Sequence, residues 1–447
     1  MSYNFANRIS GRADERSDER IPASAGAAFR RVRQVALLAL IMALSATTAC
    51  NSLLAVDNPG RVPDTALDDP GLAPVLEAAA IGTFECGVVN YAATAGMLSG
   101  EYWSANGFVN NHPWEWRGVV QIKGEPGSCN YNRQSTFMGF YTPLQQARFQ
   151  LQDTYARVSK FTATQVPTRD KILTEMQAYA GYTYLLLGEG MCTMTVNRGP
   201  VLTRVQTFTI ADSIFTAAIA SATALGDKSL LNMALDGRAR TRLDLGNLAG
   251  AAADAALVPS GFVRNAEFSE TAQSRENRIY DLTIRGGYLS VAPAYQNLTV
   301  NGVADPRVPV TNTGKIAQDA VTPLWLQQKF IGSGAASLPI ASWAEAQLIY
   351  AEATGGQAGL DAINRVRAAS NIGPLVMADP TDATAFEAAV LEERRRQLFS
   401  EGQRYGDMLR ENLPFQSGTN RKGQVYSSLT CVPLPDVETL NNPNFSS

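Results

Sequence analysis

The stretch EYWSANGFVNNHPWEWRG, Glu101 to Gly118, holds the side chains best suited to recognising a ligand. Tyr102, Trp103, Trp114 and Trp116 are interleaved with Asn, Ser, Gly and Pro rather than set at helical spacing. Loops carry binding residues disproportionately. A flat aromatic ring beside Asn, Glu or Arg suits a sugar, which has an apolar face and a polar rim. The competing reading is that these rings pin a long loop to the body. Glu101 and Glu115 flank the same rings, and two carboxylates are what glycoside hydrolysis requires. An exported glycosidase is therefore one alternative function.

Other chemistries are excluded more firmly. With one histidine in 447 residues, a histidine metal cluster or triad would have to run through His112. His112 precedes Pro113 and reads as a satisfied loop residue. No cysteine pair has CxxC spacing, so a structural zinc is not expected, and no motif calls for a cofactor. The net charge of −3 and the lack of a long basic tract leave no nucleic-acid footprint.

The elements that must position these residues are mostly helices. Ala is abundant and alternating β patterns are rare, so the expected fold class is mainly α. A helix is expected at about Leu72–Glu85, and others over Phe137–Val158 and Thr168–Gly188. A further helix is expected over Ile210–Leu225, with Thr209 and Asp212 at capping spacing. Asn232–Phe262 reads as two short helices around Leu245-Gly246-Asn247. Small residues (Ala234, Ala239, Ala249, Ala251 to Ala253) stand where the two would cross. Ser342–Ser370 is another helix pair, broken at Thr354–Gly356. Ala346, Ile349, Tyr350 and Ala353 form one face of its first member, and Ile363 and Val366 one face of its second. Paired helices of this kind resemble tetratricopeptide units. Gly261–Ser337, rich in Asn, Thr, Gly and Pro, reads as irregular loops with short strands. The tail VPLPDVETLNNPNF reads as extended and laid along the body.

The clearest single pattern is Thr384–Arg410, expected to be one amphipathic helix with a Thr384/Glu387 capping box. Leu391, Leu398 and Tyr405 recur every seven residues. The other face carries Glu393, Arg394, Arg395, Arg396, Gln397, Glu401, Arg404, Asp407 and Arg410. On helix physics alone that face is a solvated surface of weak ion pairs. Gly402 within it signals either a close neighbour or a break.

The N-terminus reads as an address. Residues 1–29 are polar; then come Arg30, Arg31 and Arg33, the apolar run Val35–Ala43, and small residues up to Cys50. This is the layout of a secretory signal, with an apolar run too short for a permanent membrane span. Thr47-Thr48-Ala49 before Cys50 resembles a lipobox, making Cys50 the expected lipidation site. Residues 50–74 would be the lipidated Cys and a tether, and 75–447 a single domain. Within it, helical repeats are expected at about 137–262 and 342–410, and loop-rich parts at about 86–135 and 261–337. After export, Cys86, Cys129, Cys192 and Cys431 could form two disulfides in three connectivities. Cys86–Cys129 with Cys192–Cys431 is the expected set, against the alternative of buried free thiols.

Several blocks together resemble the SusD/RagB family of outer-membrane lipoproteins. They are Ala344 to Ala353, Ala362 to Arg367, Glu393-Arg394 through Arg410, Val432-Pro433-Leu434-Pro435 and Asn442-Pro443. Gln177 to Gly188, Asn232 to Val258 and Asp305-Pro306-Arg307 are similar to its aromatic-rich helix, Ala-rich helix pair and DPR turn. Gln397 stands where the family usually has Glu. The segment after Gly188 lacks its Asp-Val-Pro turn, and Thr47 replaces the usual lipobox Leu.

The resemblance implies tetratricopeptide-like helix pairs, an α-α superhelix, supporting an irregular ligand-binding half. It implies a non-enzyme that binds an oligosaccharide or other nutrient outside the cell. Such a protein is lipid-anchored in the outer membrane and serves as the lid of a SusC-like, TonB-dependent β-barrel transporter. The family's ligand residues lie on variable loops, so Tyr102, Trp103, Trp114 and Trp116 rest on aromatic-loop chemistry alone. The resemblance also turns the polar face of Thr384–Arg410 into an expected structural network. A surface or adhesive protein without a small ligand is the remaining alternative.

Overall fold

The structure, a computed structural model, describes residues 63–108, 112–124, 126–129 and 138–445. The leader, the signal segment, Cys50 and most of the tether lie outside the described residues. Contacts divide the chain at Ala66, and the fold below is that of the unit beginning at Leu67.

Ten helices of eight or more residues appear among the described residues. They are α1 (Ala73–Leu98), α2 (Tyr141–Val158), α3 (Arg169–Gly190), α4 (Arg204–Leu225) and α5 (Lys228–Asp244). α6 (Leu248–Ala255), α7 (Trp343–Thr354), α8 (Gly356–Ala369), α9 (Ala383–Gln397) and α10 (Gln403–Arg410) complete the set. From α1 to α6 each helix packs on the next, and α7 then packs on both α6 and α8. The mainly α expectation holds, as do the helix pairs.

The small residues have the expected use where they meet bulky rings. A Cβ at Gly181 would lie 2.6 Å from the Phe215 ring, and one at Gly237 2.4 Å from it. Phe215 therefore fills a slot that only glycine leaves open between α3, α4 and α5. Ala234, Ala239 and Ala251 are fully buried, whereas Ala249 and Ala253 are exposed. Helix α7 divides two cores. Ala346 and Ile349 join Leu235, Ala239 and Leu243, while Leu348 and Ala351 join Ile363, Val366 and Phe386.

Helix α1 does not stop near Glu85 but continues to Leu98, with every residue from Phe84 onward buried. Nothing in CGVVNYAATAGML breaks a helix that neighbours cover on all sides. Helix α4 begins at Arg204, and its capping box is Thr203 with Gln206 rather than Thr209 with Asp212. Helix α3 runs through Gly188 to Gly190. A Cβ at either glycine would strike a ring, Phe208 at 2.5 Å and Phe140 at 2.5 Å, so both serve close packing rather than a turn.

Between the long helices the chain forms short antiparallel pairs. β1 (Tyr102–Ser104) pairs with β5 (Leu289–Val291), β2 (Thr193–Met194) with β3 (Leu202–Thr203), and β4 (Val263–Ala266) with β10 (Leu338–Ser342). β6 (Thr299–Val300) pairs with β7 (Val303–Ala304), and β8 (Val310–Ile316) with β9 (Pro323–Gln327).

The Thr384–Arg410 stretch is two helices, not one. Asp382 caps α9, its side chain accepting from the Ala385 N–H, so the Thr384/Glu387 box is not used. The chain breaks at Ser400 and Gly402, both at positive φ (68° and 83°), and α10 starts afresh. The polar face is a buried network. Arg394 bonds Asp407 at 2.7 Å, Arg410 bonds Glu352 at 2.6 Å, and Glu393 receives Arg307 and Arg367 at 2.5 Å each. Arg307 also holds Asp305 at 2.8 Å, which ties the DPR turn to α9.

Two disulfides match the expected set: Cys86–Cys129, with Cα atoms 6.1 Å apart, and Cys192–Cys431, at 5.0 Å. Beside the second, the tail pairs with the body through the parallel bridge Met191–Val432.

Candidate functional site

Strand β1 decides which of the aromatic residues faces outward. Side chains alternate along a strand, so Tyr102 and Ser104 turn inward while Trp103 stays partly exposed. Tyr102 is fully buried, its hydroxyl bonded to that of Ser400 and its ring against Phe399. Trp114 is 2% exposed and packs near Phe140. These two rings are core anchors that no ligand reaches in this conformation, which corrects the expectation that they form a binding surface. Trp116 is partly exposed, its ring pressed over Gly118. Of the four rings, the fold leaves Trp103 and Trp116 accessible and does not gather all four into one face.

Part of what surrounds Trp103 comes from the segment between α10 and Cys431, to which the sequence assigned no role. The Arg421 guanidinium lies 4.4 Å from the Trp103 ring centroid, a cation–π stack. Arg421 is itself held in place. It pairs with Glu115 at 2.5 Å and donates to the Thr322 hydroxyl at 2.6 Å and to the Ser104 carbonyl. Glu115 also accepts the Ser104 backbone N–H at 2.7 Å. The next residue, Lys422, pairs with Asp319 at 2.9 Å and donates to the Asn106 carbonyl at 2.9 Å. Phe108, 38% exposed, meets Tyr288 edge-to-face at 5.4 Å. A signal for Arg421 and Lys422 existed in Asn420-Arg421-Lys422-Gly423, a turn with two basic residues, but nothing local placed it beside Trp103.

The titratable groups are set by burial and fixed partners. Burial lowers the His112 imidazole, although its bond to the Asn106 carbonyl opposes this. Burial would raise the Asp319 carboxyl, but hydrogen bonds from Thr322 and Lys422 outweigh it and hold it near 2. Burial lowers the Lys422 ammonium despite Asp319. Glu101, fully buried, is pushed up to about 7 by desolvation, against a hydrogen bond from the Ser400 N–H. Glu101 and Glu115 thus serve different partners inside the protein, Ser400 for one and Ser104 with Arg421 for the other. Among the described residues no group of three or more His, Cys, Asp or Glu side chains could hold a metal. The arrangement offers a flat, partly exposed indole fixed on a strand, with a polar rim.

Residues 256–428 match the model of the SusD family. No curated protein matches. Among solved structures, a SusD-like carbohydrate binding protein from Bacteroides vulgatus superposes with a TM-score of 0.62 at 14% identity, covering 84% of this chain and 97% of that one. A SusD superfamily protein from Bacteroides fragilis gives 0.62 at 14% identity, covering 85% and 99%. One from Parabacteroides distasonis gives 0.59 at 14% identity, covering 86% and 98%. The structures agree in fold over nearly their whole length, and the sequence match agrees over the loop half and the last helices.

Proposed function

We propose that this SusD-like protein is a cell-surface glycan-binding lipoprotein that passes an oligosaccharide to a SusC-like, TonB-dependent β-barrel transporter and closes over it as a lid. The observation that carries the reading is Trp103, an accessible indole immobilised between strand pairing and the Arg421 guanidinium. Such a ring can stack on a sugar without first losing rotamer freedom, and this lowers the entropic cost of binding. The Bacteroides vulgatus protein of like fold is described as carbohydrate binding, which supports the ligand class. The signal segment and Cys50 support export and a lipid anchor, and the exterior orientation follows from the SusD likeness.

Calorimetry against a panel of oligosaccharides tests the binding claim. Trp103→Ala is expected to weaken the best ligand about tenfold or more, the loss of roughly 1–2 kcal/mol of stacking, with thermal stability nearly unchanged. Trp116→Ala is expected to have a smaller effect in the same direction. Normal binding by both variants would move the site away from this stretch. Cys50→Ser is expected to shift the protein from the membrane fraction to the soluble periplasm; a mutant that stays membrane-bound would reject the anchor.

A further inference from the structure

A cleft far in sequence from Trp103 lies on the helical half. About 690 Å³ in volume, it opens between the segment after α6 and the α7–α8 pair, lined among others by Pro259, Trp343, Gln347, Tyr350 and Arg365. Trp343, Gln347 and Tyr350 stand at i, i+4 and i+7 of α7, so they share one face over two turns. Val258 forms the buried floor.

One polar side chain here is fixed and several others are unpartnered by protein. Gln347 is only 6% exposed, and its Oε1 accepts from Arg365 Nε at 2.9 Å. That bond fixes the amide, and its Nε2 has no protein acceptor among the described residues. The terminal guanidinium nitrogens of Arg365, the indole N–H of Trp343 and the Tyr350 hydroxyl likewise have no protein partner there. These donors are open to solvent, Arg365 being exposed, and they converge around two partly exposed aromatic rings. Arg365 is the only charged residue in the lining, and no carboxylate faces it.

We infer that this cleft binds an acidic sugar: a pyranose ring stacked on the Trp343 and Tyr350 side chains, its carboxylate received by Arg365 and the Gln347 amide. A neutral sugar could use the rings, whereas Arg365, with no carboxylate among the lining residues, favours an anion. The inference does not rest on the Trp103 reading, because the two sites share no residue.

Sodium glucuronate, glucose and sodium acetate are the probes, followed through the indole 1H–15N signals of the five tryptophans. The Trp343 signal is assigned by its loss in Trp343→Phe. Glucuronate is expected to shift it with a Kd of about a millimolar, with glucose and acetate each at least tenfold weaker. Arg365→Gln, a change at an exposed position, should weaken glucuronate about tenfold while leaving the remaining spectrum intact, and Tyr350→Phe should weaken it less. The Trp103 signal should move independently, or not at all. A Trp343 signal that stays still up to about 10 mM glucuronate, moves equally in Arg365→Gln, or responds equally to glucose or to acetate overturns the inference.

Discussion

Glu101 shows how one buried side chain can shape the behaviour of the whole protein. It is fully buried, its Oε1 accepts the Ser400 N–H at 3.0 Å, and its Oε2 has no partner among the described residues. Desolvation therefore dominates and pushes its pKa from 4.5 to about 7. Between those values the folded protein holds a proton that the unfolded chain has released. Stability from this group is complete below about pH 4.5 and is lost as pH rises through 7. The interval is worth about 3 kcal/mol. Glu77 is pushed to about 8 by burial and by Glu175, so it acts in the same direction, more weakly because it is half-buried. Urea unfolding between pH 5 and 8 should show wild-type stability falling with pH. Glu101→Gln should flatten that fall, leaving the part due to Glu77; identical slopes would rule out this role for Glu101.

At the scale of elements, the Ala383–Arg410 region turns on Gly402. Its φ is 83°, and a Cβ there would lie 2.7 Å from the Ala92 Cα in α1. The residue therefore does both things that its position in the sequence suggested: it lets the helix break, and it lets two backbones meet. Gly402→Ala is expected to cost about 2 kcal/mol or more, since it adds a left-handed strain to a backbone clash. Guanidinium unfolding should show a lower midpoint at an unchanged slope. The break was not legible as such because the apolar stripe runs across it: Phe386 and Val390 enter one core, Phe399 and Tyr405 another. The capping positions were missed for a similar reason. Thr209 and Thr384 have the right spacing, but the helix start is fixed by where the preceding strand or turn delivers the chain.

For the molecule as a whole, the Cys192–Cys431 bridge closes a sequence separation of 239 residues and holds the tail against α3. In the loop-entropy model so long a closure stabilises by about 5 kcal/mol at most, with 2–5 the common measured range. The double variant Cys192→Ser/Cys431→Ser should lower the thermal midpoint by several degrees. An unchanged midpoint would mean that the tail docks through its own contacts. Intact mass of the wild type after alkylation without reduction should show none of Cys86, Cys129, Cys192 and Cys431 modified. The tail matters beyond stability because it delivers Arg421 to Trp103.

The sequence by itself determined the helix pairs, an even set of four cysteines able to form two bridges, and the blocks that carry the SusD likeness. Each of these follows from a short-range period, from composition or from a motif. It also offered Tyr102, Trp103, Trp114 and Trp116 as candidates. Only the tertiary structure decided which rings face out. Strand β1 is three residues long, too short for its alternation to be read locally, and its register is set by β5. The partners of Trp103 were equally out of reach, since Arg421 lies 317 residues beyond the Ser104 carbonyl it bonds. Burial depends on what covers a side chain, and in this fold the cover arrives from the far end of the chain.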